Sequence, residues 1–162
     1  MGEVDRDRDA LGRPESARPR DPLTGKPLPR TAATGRDLLR AADEARALPK
    51  SDALAEAERL VLAGQPFYAH EVLEGPWHLA EPAERAFWQG LAQVAVGLTH
   101  VQRGNAVGAR SLLRSGAEKL AAYEDGHEGV AVSRVVAEAR ALADRVEAGE
   151  ALTADDLRVA FR

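Results

Sequence analysis

Residues 86–102 read Ala-Phe-Trp-Gln-Gly-Leu-Ala-Gln-Val-Ala-Val-Gly-Leu-Thr-His-Val-Gln, 17 residues without a charge. The run is too short, and Gln89, Gln93, Thr99, His100 and Gln102 make it too polar, for a membrane span. At about 100° per residue, Phe87, Leu91, Val94, Leu98 and Val101 line one face of a helix, and Trp88, Ala92, Ala95 and Val96 fill much of the rest. A helix that is apolar nearly all round is buried. The stretch therefore reads as the central helix of an all-α protein.

The helical pattern continues on both sides. Before the central helix come a helix over 36–48 ended by Pro49, one with Ser51 as N-cap and Gly64 as its stop, and one opened by Pro66 that carries Phe67 to Glu74. Gly75-Pro76 is expected to end or kink that third helix, because proline disfavours α geometry in the residue before it; Trp77 then lies in a short turn. Pro82 opens the central helix, which runs to Arg103 and stops at Gly104-Asn105. Asn105 caps a helix over 106–123, residues 124–129 form a loop, and a further helix spans 130–148 up to Gly149. Thr153 caps a short last helix with Asp155 and Asp156 in its first turn, where the helix dipole favours them. The fold class is all-α, a compact bundle of about five main helices forming one domain over 36–162. Two hairpins resemble each other at an offset of 40 residues: Gly64 aligns with Gly104, Ala69 with Ala109, and Val72-Leu73 with Leu112-Leu113. This fits tetratricopeptide-like helix pairs, with coincidence between short hairpins as the competing reading.

Residues 1–35 are rich in Arg, Asp, Pro and Gly and nearly lack large apolar side chains. Such a composition cannot offset the entropy of ordering, so a disordered leader is expected. The segments Asp9-Ala-Leu-Gly-Arg-Pro14 and Asp21-Pro-Leu-Thr-Gly-Lys-Pro27 echo each other as turns. The competing reading is an arm whose Leu11, Leu23 and Leu28 dock on the domain or on a partner.

Composition excludes several functions. The net charge is -4 and no basic run is interleaved with aromatics, so neither a nucleic-acid nor a membrane partner is expected. There is no cysteine, which removes disulfides, thiol nucleophiles and thiolate metal sites and fits a cytoplasmic protein. The leader has no apolar core of a signal peptide.

One concentration of site-grade polar residues remains. Residues 70–78 read His-Glu-Val-Leu-Glu-Gly-Pro-Trp-His, with His70 and Glu74 about 40° apart on their helix and Glu71 on the flank. Gln89, Gln93 and His100 share one stripe of the central helix within about 40° by the same arithmetic. Buried polar groups need partners, so the two stripes are expected to face each other in a polar layer or pocket. Three readings compete. In the first, His70, Glu74 and His100 hold a metal ion such as zinc, iron or manganese, with Glu71 as a further ligand or as base. The fifth position is Glu74, so the His-Glu-x-x-His spacing of a zincin is absent, as is the paired Glu-x-x-His of a di-iron bundle. In the second, the carboxylates and histidines do acid–base work without metal, His70 and His100 moving protons and Glu71 acting as base. In the third, the same residues lock two helices in one register, and the domain is a non-catalytic scaffold for a protein partner or a second copy of itself. Glu74, Gln89, Gln93, Trp77 and Asn105 are the candidate ligand contacts. For Trp77 and Trp88 the alternative is a core anchor, and for Asn105 simple capping. His78 is expected to be exposed, and His127 to lie in a polar loop with Glu124, Asp125 and Glu128, a solvated loop being favoured over a ligand cluster.

Taken together, Phe67-Tyr-Ala-His-Glu-Val-Leu-Glu74, Trp77, Trp88-Gln-Gly-Leu-Ala-Gln93, His100-Val-Gln-Arg-Gly-Asn105, Gly108-Ala109 and Leu112-Leu113 resemble the uncharacterised family catalogued as the domain of unknown function numbered three hundred and nine. The resemblance covers roughly 54–120. It implies a compact helical domain, no established activity, and family-typical polar positions at His70, Glu71, Glu74, Gln89, Gln93, His100 and Asn105. Gly75-Pro76 departs from the continuous helix the resemblance implies.

Overall fold

The computed structural model describes residues 48–162. The expected leader, the docking leucines Leu11, Leu23 and Leu28, and the helix over 36–48 lie outside them, save Leu48 at its end. Within them are five α-helices, α1 Lys50–Leu62, α2 Pro66–Leu79, α3 Pro82–Gln102, α4 Ala106–Leu120 and α5 Val132–Glu147, with short 3-10 turns at His127–Gly129 and Asp155–Leu157. The expected all-α bundle is what forms, with no strand among the described residues. No helix among them is long and apolar enough to cross a membrane.

Each helix packs against the next in sequence, most closely α3 against α4. Three helices end in the same local device. Gly64, Gly104 and Gly149 all have φ near +75°, the left-handed conformation that glycine adopts without a Cβ penalty. Around Gly64, its N–H reaches the Val61 carbonyl at 2.9 Å and Gln65 N–H reaches Leu60 O at 2.8 Å; around Gly104 the same pair runs to Val101 O and His100 O at 3.0 and 2.9 Å. Both are Schellman turns, so the two hairpins aligned at an offset of 40 residues turn in the same way. Gln102 Nε2 donates to the Gly64 carbonyl at 2.9 Å, which seats one turn beside the other.

Two boundaries differ from expectation. Ser51 does not cap α1: Pro49 takes the N-cap position, its carbonyl accepting from Asp52 and Ala53 N–H at 3.0 and 2.9 Å, so Ser51 lies inside the first turn. Nor does Gly75-Pro76 end α2, which runs on to Leu79 with Pro76 inside it. Gly75 has no Cβ to clash with the proline ring, and only the last residues of the helix follow, so little is lost. Trp77 and His78 therefore stay helical, and their rings stack at 5.4 Å with an 11° tilt. His78 is exposed, as expected, while Trp77 packs half-buried against the core.

The central helix is buried as its composition requires. Phe87, Trp88, Leu91, Val94, Ala95 and Leu98 are inaccessible to solvent. Small residues let α4 approach it. A Cβ on Gly116 would stand 2.7 Å from the Gly90 carbonyl oxygen, and one on Gly97 would stand 2.7 Å from Leu113 Cγ.

The last helix expected after Thr153 is only a turn. Thr153 and Asp156 do form a reciprocal box, Thr153 N–H donating to Asp156 Oδ2 at 2.7 Å and Asp156 N–H to Thr153 Oγ1 at 3.3 Å. The chain then extends along the bundle. Phe161 is fully buried, and its carbonyl accepts from Ala131 N–H at 2.8 Å, just before α5. Glu58, buried on α1, receives this segment: Oε1 accepts from the N–H groups of Phe161 and Arg162 at 2.9 and 2.8 Å, and Oε2 from Arg162 Nε at 2.7 Å. The first and last described elements are thus clamped together.

Candidate functional site

The contacts of the candidate residues fall into groups. The first group is on α2. Leaving Val72 and Leu73 to the core turns His70, Glu71 and Glu74 toward the half-buried side. His70 Nε2 stands 3.2 Å from Glu74 Oε1, and His70 Nδ1 stands 3.5 Å from Glu71 Oε1. One ligand atom from each of the three lies within 4.8 Å of the others. The imidazole is thus flanked by two carboxylates, one on each ring nitrogen. Phe67, one turn earlier, borders it at 6.5 Å between ring centroids and carries the Arg103 guanidinium 5.5 Å above its own ring.

The second group is at the α3–α4 turn. Asn105 is the N-cap of α4, its Oδ1 accepting from Gly108 N–H at 3.0 Å. The amide is thereby oriented, and its Nδ2 points at His100 Nδ1, 3.1 Å away. An amide nitrogen only donates, so Nδ1 of His100 accepts and the neutral ring carries its proton on Nε2. Burial, and then the nearby charge of Arg103, push the His100 imidazole below its ordinary range. Gly108 makes room for this pair: a Cβ there would fall 2.7 Å from Asn105 Nδ2 and 3.2 Å from His100 Cγ. Asn105→Ala is expected to cost about 1 kcal/mol through the lost cap and to release the tautomer, which the ring nitrogen shifts of His100 would show. Unchanged shifts would mean Asn105 does not set the tautomer.

Gln93 turns toward α4. Its Oε1 accepts from Ser115 Oγ at 3.1 Å, and Ser115 in turn accepts from Lys119 Nζ at 3.1 Å. Gln89 is half-buried on the same helix. The expectation that Gln93 and His100 bond across to α2 is therefore replaced by bonds to Ser115 and Asn105. Their stripe looks toward α4 because the α3 backbone approaches α4 closely at Gly90 and Gly97.

One pair, Glu84 with His127, had no signal in the sequence pattern. His127 is not simply a solvated loop residue. It is half-buried, its ring 4.6 Å from Phe87 and 4.8 Å from Tyr123, and its Nε2 reaches both oxygens of Glu84 at 3.0 and 3.1 Å. Glu84 and His127 are 43 residues apart, so no local spacing announces the pair.

A cavity of about 280 Å3 opens at the glycine-turn end, lined by Val101, Gly104, Ala106, Val146, Gly149, Glu150 and Leu152. None of the eight candidate residues lines it.

Residues 54–112 match a family model described as Domain of unknown function (DUF309). This segment is similar to that family. It contains α2 and α3 whole, most of α1 and the first half of α4, and with them all eight candidate residues. His127, α5 and the C-terminal clamp lie beyond it. The chain matches no curated protein and no solved structure.

Proposed function

We propose that this domain binds a divalent metal ion on the half-buried side of α2, with His70 and Glu74 as ligands and Glu71 orienting the imidazole. The separation of His70 Nε2 from Glu74 Oε1 carries the reading. At 3.2 Å it is the spacing of two neighbouring ligands that each stand about 2.1 Å from zinc. A ligating histidine usually gives its other ring N–H to a carboxylate, and Glu71 stands on that side. The three side chains are 20%, 19% and 26% exposed, so water reaches the group. Such an ion would supply Lewis acidity to a bound water, so hydrolysis is the chemistry it favours. Glu71 then acts as orienter and not as base. His100 is left out of the ligand set because its Nε2 bears the proton and its Nδ1 is already engaged.

Zinc titration of tag-free full-length protein by calorimetry, with metal analysis of the untreated protein, tests this. His70→Ala and Glu74→Gln are expected to abolish binding, and Glu71→Gln to weaken it about 10- to 100-fold. Folded wild type that takes up no zinc, or binding that Glu74→Gln leaves unchanged, overturns it.

The bonds of Gln93 to Ser115 and of His100 to Asn105 support a second reading, a non-catalytic scaffold in which these residues fix how the helices meet. On that reading Glu71→Gln binds no less metal than wild type, and Gln93→Ala lowers stability by about 1–3 kcal/mol.

A further inference from the structure

Away from α2, Glu84, His127 and Glu128 converge where the first turn of α3 meets the 124–129 segment. We propose that these three side chains form a second divalent-cation site, independent of the α2 group, that staples this segment to α3. The cation class is the one served by mixed imidazole and carboxylate donors, zinc first.

Three observations support it. The first is the approach of Glu84 to the ring. Both carboxylate oxygens stand nearly equally far from Nε2, at 3.0 and 3.1 Å. The two oxygens share the ring nitrogen in one bifurcated contact, so an imidazole donor and a carboxylate already stand side by side, at the spacing of neighbouring ligands that are each about 2.1 Å from zinc. The second is that the ring is already aimed. Phe87 and Tyr123 pack against it, and Tyr123 is itself tied down by its hydroxyl, which donates to Ala83 O at 2.7 Å. A ligand whose orientation is set before the ion arrives loses little freedom on binding. The third is Glu128. Its backbone is left-handed at φ 50°, the one described residue other than glycine with positive φ, and its carboxylate lies within ligand range of the other two. A glycine would hold that turn at lower cost, but would remove the third oxygen donor. Lys50 Nζ, 3.9 Å from Glu128 Oε1, is the cation now beside it; that loose, partly exposed pair is cheaply exchanged.

The test keeps the two sites apart by using the full-length His70→Ala protein, in which the α2 site is lost. Zinc is added while the ring resonances of His127 and the melting temperature are followed. The expected result is a saturable shift of His127 with a rise in melting temperature, both weakened at least 10-fold in affinity by adding Glu84→Gln or Glu128→Gln. The Glu128→Gln change keeps the backbone turn and removes only a charged donor, so it separates ligation from folding. A His127 resonance that stays in place at saturating zinc overturns the site. So does a shift that both glutamine substitutions leave untouched, since that is adventitious binding to one imidazole. Failure of the α2 site alone, with His127 still responding, leaves this proposal standing.

Discussion

Gly116→Ala is expected to destabilise the domain by about 3 kcal/mol, the upper part of the range for overpacking a close helix contact. The new methyl would meet the Gly90 carbonyl oxygen at 2.7 Å and the Val94 backbone nitrogen at 3.0 Å. Neither atom is the end of a flexible side chain, so relief requires α3 and α4 to separate along their length. Separation in turn loosens Leu98 and Leu113, which are fully buried. Gly104→Ala is the control. Nothing lies within 4 Å of its added Cβ, and only the φ of +72° opposes it, so the cost falls to about 1 kcal/mol. Urea denaturation of both variants reads the difference. Equal losses would show that the α3–α4 approach is not the constraint.

The second large effect is expected at Glu58. Glu58→Ala leaves two N–H groups of the C-terminal segment without their acceptor and Arg162 without its partner, for a loss of about 2–4 kcal/mol. The pH response carries the signature. Burial by itself would raise the Glu58 carboxyl, but the Arg162 and Phe161 N–H donors and the Arg162 guanidinium outweigh it and hold the group below the usual carboxylate range. A carboxyl depressed in the folded state contributes stability that is complete above its unfolded value, about 4.3, and is lost as pH falls through the folded one. Wild type should therefore lose stability below about pH 4 more steeply than Glu58→Gln, and the two curves should run parallel at neutral pH. Curves that stay parallel down to the acid limb would mean the clamp is neutral. Arg134 also reaches the Arg162 and Ala160 carbonyls, so Arg134→Ala should loosen the same segment without altering the acid response of Glu58.

How much of this was legible in the chain follows the distance over which each signal acts. The glycine turns at Gly64, Gly104 and Gly149 close hydrogen bonds within five residues, so a glycine after an apolar helical run was enough to place them. The Asn105 cap acts over three residues and the Thr153–Asp156 box over three, and both were readable for that reason. The expected break at Gly75-Pro76 failed because the rule for residues preceding proline rests largely on a Cβ that glycine lacks. Grouping of His70, Glu71 and Glu74 was likewise local, a matter of helical angle on one element.

The sequence by itself determined that α3 is buried and that its few polar residues must find partners; it did not determine which neighbour supplies them. That choice depends on the rotation of one helix against another, set by where the backbones can approach, here at Gly90, Gly97 and Gly116. Gln93 therefore meets Ser115 on α4. The Glu84–His127 pair, and the return of Phe161 and Arg162 to Glu58 across 103 and 104 residues, were decided only by tertiary structure. Contacts that distant in sequence leave no periodicity to read, because the side chains meet only after the helices between them have packed.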